Sequence, residues 1–379
     1  MTTSRIRRIL AVLTLGSLVT LAACGGSDDA ADTGGETSAV ATTVATGEEP
    51  TTTVMAEPMN FADQWERVDA PEDCMCGDGS PFAFFVREAD PAKVVFYLEG
   101  GGACFSAETC NPDDPAYTTE IGNEDGFEAV DGIFDLDNPE NPFADWSIVY
   151  VPYCTGDVHS GNITKDYGDG VVVEHKGYVN ASAALDALIA QFPGTTQLVV
   201  AGSSAGSFPT PLYAAVASEQ LPAADVKVIA DGSGAIPDAM GLIASTWSVL
   251  DNLPDWPELA DVTYDQFTPA YLFIKAAERN SSIAFARHDY AFDRVLSGYA
   301  LLAGLTPDDL VEVMTVNEEK VEAAGATVTN WIAPGDDHTI LGRAEFYSEE
   351  LNGVRFVEWL TAFLAGESPD DQYCTDCEG

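Results

Sequence analysis

One pentapeptide constrains this chain more than any other stretch. Gly202-Ser203-Ser204-Ala205-Gly206 follows the apolar run Gln197-Leu198-Val199-Val200-Ala201 and precedes Leu212, Tyr213, Ala214, Ala215 and Val216. The first run reads as a buried strand and the second as a helix. A strand, G-x-S-x-G and a helix together describe a sharp turn that lifts a serine out at the end of a sheet. The flanking glycines remove Cβ atoms that would clash in such a turn. The amide of Ala205, at the head of the helix, would then face the charge developing on a carbonyl oxygen. The plainer alternative is a tight strand-to-helix turn with an inert serine.

The rest of the chain supplies a sheet for that turn to end on. Apolar runs recur at Phe82–Val86, Val94–Leu98, Ile148–Val151, Leu198–Ala201, Val226–Ala230, Ile283–Ala286 and Val328–Ala333. Helical patterns fall between several of them. Ala181–Phe192 sets Leu185, Leu188, Ile189 and Phe192 on one face; Leu310–Ala324 is another such segment, and Phe346–Leu364 closes the chain. Strands alternating with helices predict an α/β domain with a mostly parallel sheet covered on both faces. The acidic, Gly- and Pro-rich residues 111–146 read as a surface excursion, and 238–281 as mainly helical decoration. A chain of 379 residues with 46% hydrophobic content suits one large domain of this class rather than a minimal one.

The first 60 residues do not belong to that domain. Arg5, Arg7 and Arg8 precede the apolar segment Ile9 to Val19, which is too short for a stable membrane span. Leu21-Ala22-Ala23-Cys24 then has the form of a lipobox, with Cys24 as the lipidated residue. Residues 1–24 are therefore expected to be a lipoprotein signal peptide, and the membrane a partner through the lipid on Cys24. Residues 25–60 contain no aromatic residue, lysine or arginine. Such a segment cannot bury enough apolar surface to offset its chain entropy and is expected to be a disordered acidic tether. The folded domain is expected over 61–379.

The net charge of −46 excludes nucleic acid and anionic polymers as tightly bound partners, because like charges repel. Its plainer meaning is an acidic surface tolerated in salty surroundings. Export would permit disulfides. With Cys24 assigned to lipid, Cys104 and Cys110 could close a small loop. The pairs Cys74/Cys76 and Cys374/Cys377 could staple the two ends of the domain, leaving Cys154 over. A zinc site built from those terminal pairs is disfavoured by the C-x-C spacing, so no metal is expected. The acidic run Asp135-Leu136-Asp137-Asn138 lacks an EF-hand glycine and reads as a solvated turn.

A serine nucleophile needs a base, an acid behind it and donors for an oxyanion. The chain has four histidines, His159, His175, His288 and His338. Only His338 lies late, in Gly335-Asp336-Asp337-His338, just past the run Val328–Ala333; that is where the base of a serine, acid, histidine order belongs. The acid should follow an intervening strand. Asp293 and Asp289 both qualify after Ile283–Ala286, and Asp231 after Val226–Ala230; Asp293 is preferred. Leu98-Glu99-Gly100-Gly101-Gly102-Ala103-Cys104 follows an early strand, and the amides of Gly101 and Gly102 could face an oxyanion with Ala205. It lacks the lysine and Ser/Thr ending of a phosphate-binding P-loop.

These residues resemble the pectin acetylesterase/Notum family of carboxylesterases. The likeness runs through Tyr97–Cys104, Asn141-Pro142-Phe143-Ala144-Asp145-Trp146, Val149–His159, Gly177-Tyr178-Val179-Asn180, the Ser204 pentapeptide and Asp337-His338. It implies an α/β-hydrolase fold, no cofactor, and ester hydrolysis with Ser204 as nucleophile, His338 as base and Asp293 as acid. The implied substrate is an ester, with an acylated carbohydrate expected. Two positions depart from the family pattern. Ala103 stands where a tryptophan is usual, and Ser207 where a second glycine follows the elbow; both lie beside the acyl site. His159 could line the site or bind a neighbouring backbone group. Two other classes stay open: a tethered binding protein on an inactive hydrolase fold, and a serine hydrolase of different acyl or amide specificity.

Overall fold

The computed structural model describes residues 64–121 and 131–377. The expected signal segment, Cys24 and the 25–60 tether lie outside the described residues.

The strands in chain order are β1 (Glu66–Asp69), β2 (Ala83–Arg87), β3 (Asp90–Leu98), β4 (Trp146–Val151), β5 (Ile163–Gly168), β6 (Val171–His175) and β7 (Gln197–Ser203). They continue with β8 (Asp225–Asp231), β9 (Ala284–Tyr290), β10 (Val328–Ala333), β11 (Glu350–Leu351), β12 (Val354–Arg355) and β13 (Gln372–Tyr373). Nine of them form one sheet in the order β1-β2-β4-β3-β7-β8-β9-β10-β13. From β4 to β13 every neighbouring pair is parallel; only the pairings of β2 with β1 and β4 are antiparallel. The helices are α1 (Gly177–Gln191), α2 (Thr210–Gln220), α3 (Pro269–Arg279), α4 (Arg294–Leu302), α5 (Leu310–Ala323) and α6 (Phe356–Leu364). This is the α/β architecture that the alternation of runs predicts.

Both faces of the sheet are buried, which is why its central strands are continuously apolar. On β3 and β7 alternate residues serve opposite layers. Val94, Phe96, Leu98, Leu198 and Val200 pack in one core with α1, α2 and α3. Val95, Tyr97, Val199 and Ala201 pack in the other with α6, through Phe356, Val357, Leu360 and Phe363. Strand-end geometry then gathers the loops after β3, β7, β8, β9 and β10 at one edge, where ligands of parallel sheets bind.

Three expectations need correction. Residues 111–146 are not wholly a surface excursion: Ile133, Phe134 and Phe143 are buried in the second core, and the Ile133 amide donates to the Leu341 carbonyl. The closing segment Phe346–Leu364 is not one helix. A short 3-10 turn at Ala344–Tyr347 gives way to the β11–β12 hairpin before α6 begins. Asn352 and Gly353 form that hairpin's turn at φ 55° and 82°, the left-handed pair that such turns require. Third, the ends of the domain are not stapled together. Among the described residues the bridges are Cys76–Cys154, Cys104–Cys110 and Cys374–Cys377, so Cys154 is paired and Cys74 is the free, buried thiol. Burial, and secondarily Asp73, push that thiol up to about 11, which leaves it protonated and inert. The pairing follows the sheet: β2 lies beside β4 and runs against it, so the chain before β2 meets the chain after β4. The Cys76–Cys154 bridge spans 78 residues, and in the chain-entropy account a closure of that length contributes about 4.5 kcal/mol.

Candidate active site

The serine sits in a strained turn that only its neighbours permit. Ser204 has φ 54°, in the left-handed region a side chain rarely adopts. The turn closes directly on the end of β3. A Cβ on Gly206 would lie 2.0 Å from the Leu98 carbonyl oxygen, and one on Gly202 would lie 2.4 Å from that of Gly206. Ser207 reinforces the turn rather than disturbing it: its amide and its hydroxyl both donate to the Ser204 carbonyl, at 3.0 and 2.7 Å.

Two loops bring partners to Ser204. His338, beyond β10, has Nε2 2.6 Å from Ser204 Oγ and Nδ1 2.6 Å from Asp293 Oδ2. A carboxylate only accepts, so Nδ1 carries the hydrogen and Nε2 is left to accept from the serine. Asp293 is itself fixed. Its Oδ1 accepts from the amides of Val295 and Leu296, capping α4, and the residue is fully buried. The chain Ser204–His338–Asp293 is the arrangement a serine nucleophile requires.

The other two aspartates have different work. Asp289 accepts from the Gly234 amide and lies 3.0 Å from Arg287 Nε; burial, opposed by Arg287, pushes its carboxyl up to about 6. Asp231, at the end of β8, accepts from Ser203 Oγ at 2.8 Å and from the amides of Ile340 and Leu341 at 3.0–3.1 Å. It also faces His288 Nδ1 at 3.0 Å. One carboxylate thus ties the residue before Ser204 to the loop carrying His338. Burial would hold His288 neutral, but Asp231 on one side and Glu349 on the other outweigh it and raise the imidazole to about 10.

The glycine loop completes one wall. Gly102 and Ala205 line a cavity with Ser204, and Ala205 occupies the first turn of a short helix, where amides have no intrahelical acceptor. Gly101 precedes them off that wall, its carbonyl accepting from the Thr118 amide. His159 holds the loop from behind: its Nε2 meets the Glu99 carbonyl at 2.8 Å, and burial lowers it to about 4. Of its two expected roles it takes the backbone-binding one. Asp157 anchors the same segment through the Thr155 hydroxyl and the amides of Gly161 and Gly177.

The cavity, about 70 Å³, opens to solvent beside Ser204. Phe105, Phe208, Ile236, Trp247, Phe267 and Leu296 give it apolar walls, and Ala103 lies on it. Apolar residues scattered through loops leave no periodic signal, so only the fold reveals them. Cys104, Cys110 and His175 converge, but the two sulfurs are bonded to each other and both imidazole nitrogens are engaged, by the Thr155 carbonyl and the Tyr167 hydroxyl. That cluster has no ligand to give a metal. Residues 135–138 form a turn, with the Asn138 amide on the Asp135 carbonyl.

Comparison with known proteins gives the same family as the site. The pectinacetylesterase family model matches residues 60–241. The palmitoleoyl-protein carboxylesterase notum2 of Xenopus laevis is 33% identical over 35% of this chain and 27% of its own length. Pectin acetylesterase 5 of Arabidopsis thaliana is 28% identical over 44% of this chain and 41% of its own. The inactive palmitoleoyl-protein carboxylesterase notum1b of Danio rerio is 32% identical over 28% of this chain and 76% of its own. The chain thus spans well under half the length of the first two.

Stability should separate the aspartates. Asp231→Ala takes one partner from a charged imidazole and a hydroxyl and leaves two amides without their acceptor, and is expected to cost about 3–5 kcal/mol in urea unfolding. Asp293→Ala removes a helix cap and is expected to cost about 1–2 kcal/mol. The His288 pair adds a pH dependence. Its stabilisation is complete below pH 6.5 and is lost as the pH climbs toward 10. The domain should therefore unfold more easily at pH 10 than at pH 7, and His288→Gln should shrink that difference. Equal costs for the two aspartates, or an unchanged pH difference in the histidine variant, would contradict this account.

Proposed function

The chain belongs to the pectinacetylesterase–Notum family, and from that premise we propose that it is a serine carboxylesterase, exported and lipid-anchored, that hydrolyses O-acyl esters. The observation that carries the reading is the hydrogen-bonded series Ser204, His338 and Asp293 at an apolar cavity. Ser204 Oγ attacks the ester carbonyl while His338 Nε2 takes its proton. The negative oxygen is held by the amides of Ala205 and of Gly101 or Gly102. His338 then protonates the departing alcohol, and water repeats the sequence on the acyl-enzyme. Asp293 keeps the imidazole in the tautomer this needs. No cofactor enters the scheme.

O-acetyl groups on a polysaccharide are the substrate the family resemblance implies. A second reading, an acyl chain longer than acetyl, is favoured by the extent of the apolar walls. Residues 1–24 serve as signal and 25–60 as tether in this proposal, with Cys24 carrying the lipid and the domain 61–379 on the extracytoplasmic side. Three disulfides suit that oxidising compartment.

Turnover of p-nitrophenyl acetate tests the mechanism. Ser204→Ala and His338→Ala should each lower kcat by about ten-thousand-fold or more, and the double variant should be no worse, because the two act as a unit. Asp293→Ala should cost less than either but far more than Asp289→Ala. Full activity in Ser204→Ala would end the proposal; a crippled Asp289→Ala with an intact fold would end the assignment of the acid. For the anchor, Cys24→Ser should move the protein from the membrane to the soluble fraction, and continued membrane association without detergent would refute lipidation.

A further inference from the structure

Among the described residues that line the cavity beside Ser204, one buried side-chain polar atom has no hydrogen-bond partner. Besides Ser204 itself, three side chains on its wall bear polar atoms: Ser233, Trp247 and Tyr299. Trp247 Nε1 donates to the Cys104 carbonyl at 2.8 Å, and burial raises the pKa of the Tyr299 hydroxyl, with the Ala103 backbone opposing the shift. Ser233 Oγ is buried and has no hydrogen-bond partner among the described residues. Burying a hydroxyl without a partner is costly, and most such groups turn out to have one. The position is close to the chemistry. Ser233 follows Gly232, where a Cβ would stand 3.3 Å from His338 Cε1.

We infer that Ser233 is a specificity-determining residue, and that the acyl chain this site accepts carries a hydroxyl that pairs with Ser233 Oγ. The inference rests on the reading of Ser204 as an ester-attacking nucleophile and takes the longer of the two acyl readings. The substrate class is a hydroxyacyl ester, of the lactyl or 3-hydroxybutyryl kind. A serine hydroxyl both donates and accepts, which matches another hydroxyl. Among the described residues no lysine or arginine lines the cavity, so a carboxylated chain would enter without a counter-charge. The remaining walls are apolar and hold the chain's carbons. A site that reserves a buried polar group for its substrate discriminates against the analogue lacking it, because that group is then left unpaired.

The test compares kcat/KM for p-nitrophenyl butyrate with that for each enantiomer of p-nitrophenyl 3-hydroxybutyrate, and for the lactate ester with the propionate ester. The wild type should prefer the hydroxy ester of at least one pair by about tenfold, the size of one neutral hydrogen bond, and should favour one enantiomer. In Ser233→Ala the preference should fall to about one, while Ser233→Thr, which keeps the hydroxyl, should retain it. Melting temperatures of both variants check that the fold is intact. Ser204-dependent turnover with equal hydroxy and plain rates in the wild type overturns this inference and leaves the esterase reading standing. So does a preference that survives in Ser233→Ala. Absence of Ser204-dependent turnover on every ester overturns both.

Discussion

The Asp231 carboxylate is the interaction on which the site depends. It stands at the end of a central strand, fully buried, and four groups from three other parts of the chain converge on it: the Ser203 hydroxyl, the His288 imidazole and the amides of Ile340 and Leu341. Burying a charge is expensive unless it is matched by charge and hydrogen bonds, and here it is matched by both. The match holds only if the elbow, β9 and the loop after β10 all stand in register. The distance between Ser204 and His338 is therefore fixed by a residue that touches neither. Ser203 extends the connection sideways, since its hydroxyl also accepts from the Tyr97 hydroxyl on β3.

Around that anchor the fold sets strain against close packing. Ser204 is held in an unfavourable backbone region, and the turn persists because β3 and β7 pair in parallel and bring Leu98 against Gly206. The region read as an excursion contributes to the same end. Ile133 and Phe134 pack in the second core, and the Ile133 amide fixes the Leu341 carbonyl, so the loop bearing His338 is held from two sides. His159 does for the glycine loop what Asp231 does for the histidine loop.

Much of this was legible in the sequence because apolar runs, strand order and the position of a histidine are local facts. The run Val328–Ala333 is β10 residue for residue, and the expected partners Ser204, Asp293 and His338 do lie in one hydrogen-bonded series. The rest depends on adjacency in the sheet. Cys76 meets Cys154 because β2 lies beside β4, a pairing that no spacing of cysteines reveals. Asp289 and Asp293 are four residues apart, yet one ends inside β9 bound to Gly234 and the other passes beyond it to cap α4. The β5–β6 and β11–β12 hairpins carry a local signal that the apolar runs lack: their turns are Asp169-Gly170 and Asn352-Gly353, each with both residues at positive φ. A single serine in Asp231-Gly232-Ser233-Gly234 gave no signal; only its burial without a partner sets it apart.

The central claim is that Ser204 is a nucleophile activated by His338. Treating the protein with a fluorophosphonate and mapping the adduct by peptide mass spectrometry examines it directly, since such reagents bond to a hydroxyl only when a neighbouring base activates it. The account predicts one adduct, on Ser204, formed rapidly in the wild type and lost in His338→Ala. An adduct on Ser203, Ser207 or Ser233 instead, or undiminished labelling of Ser204 without His338, would contradict it.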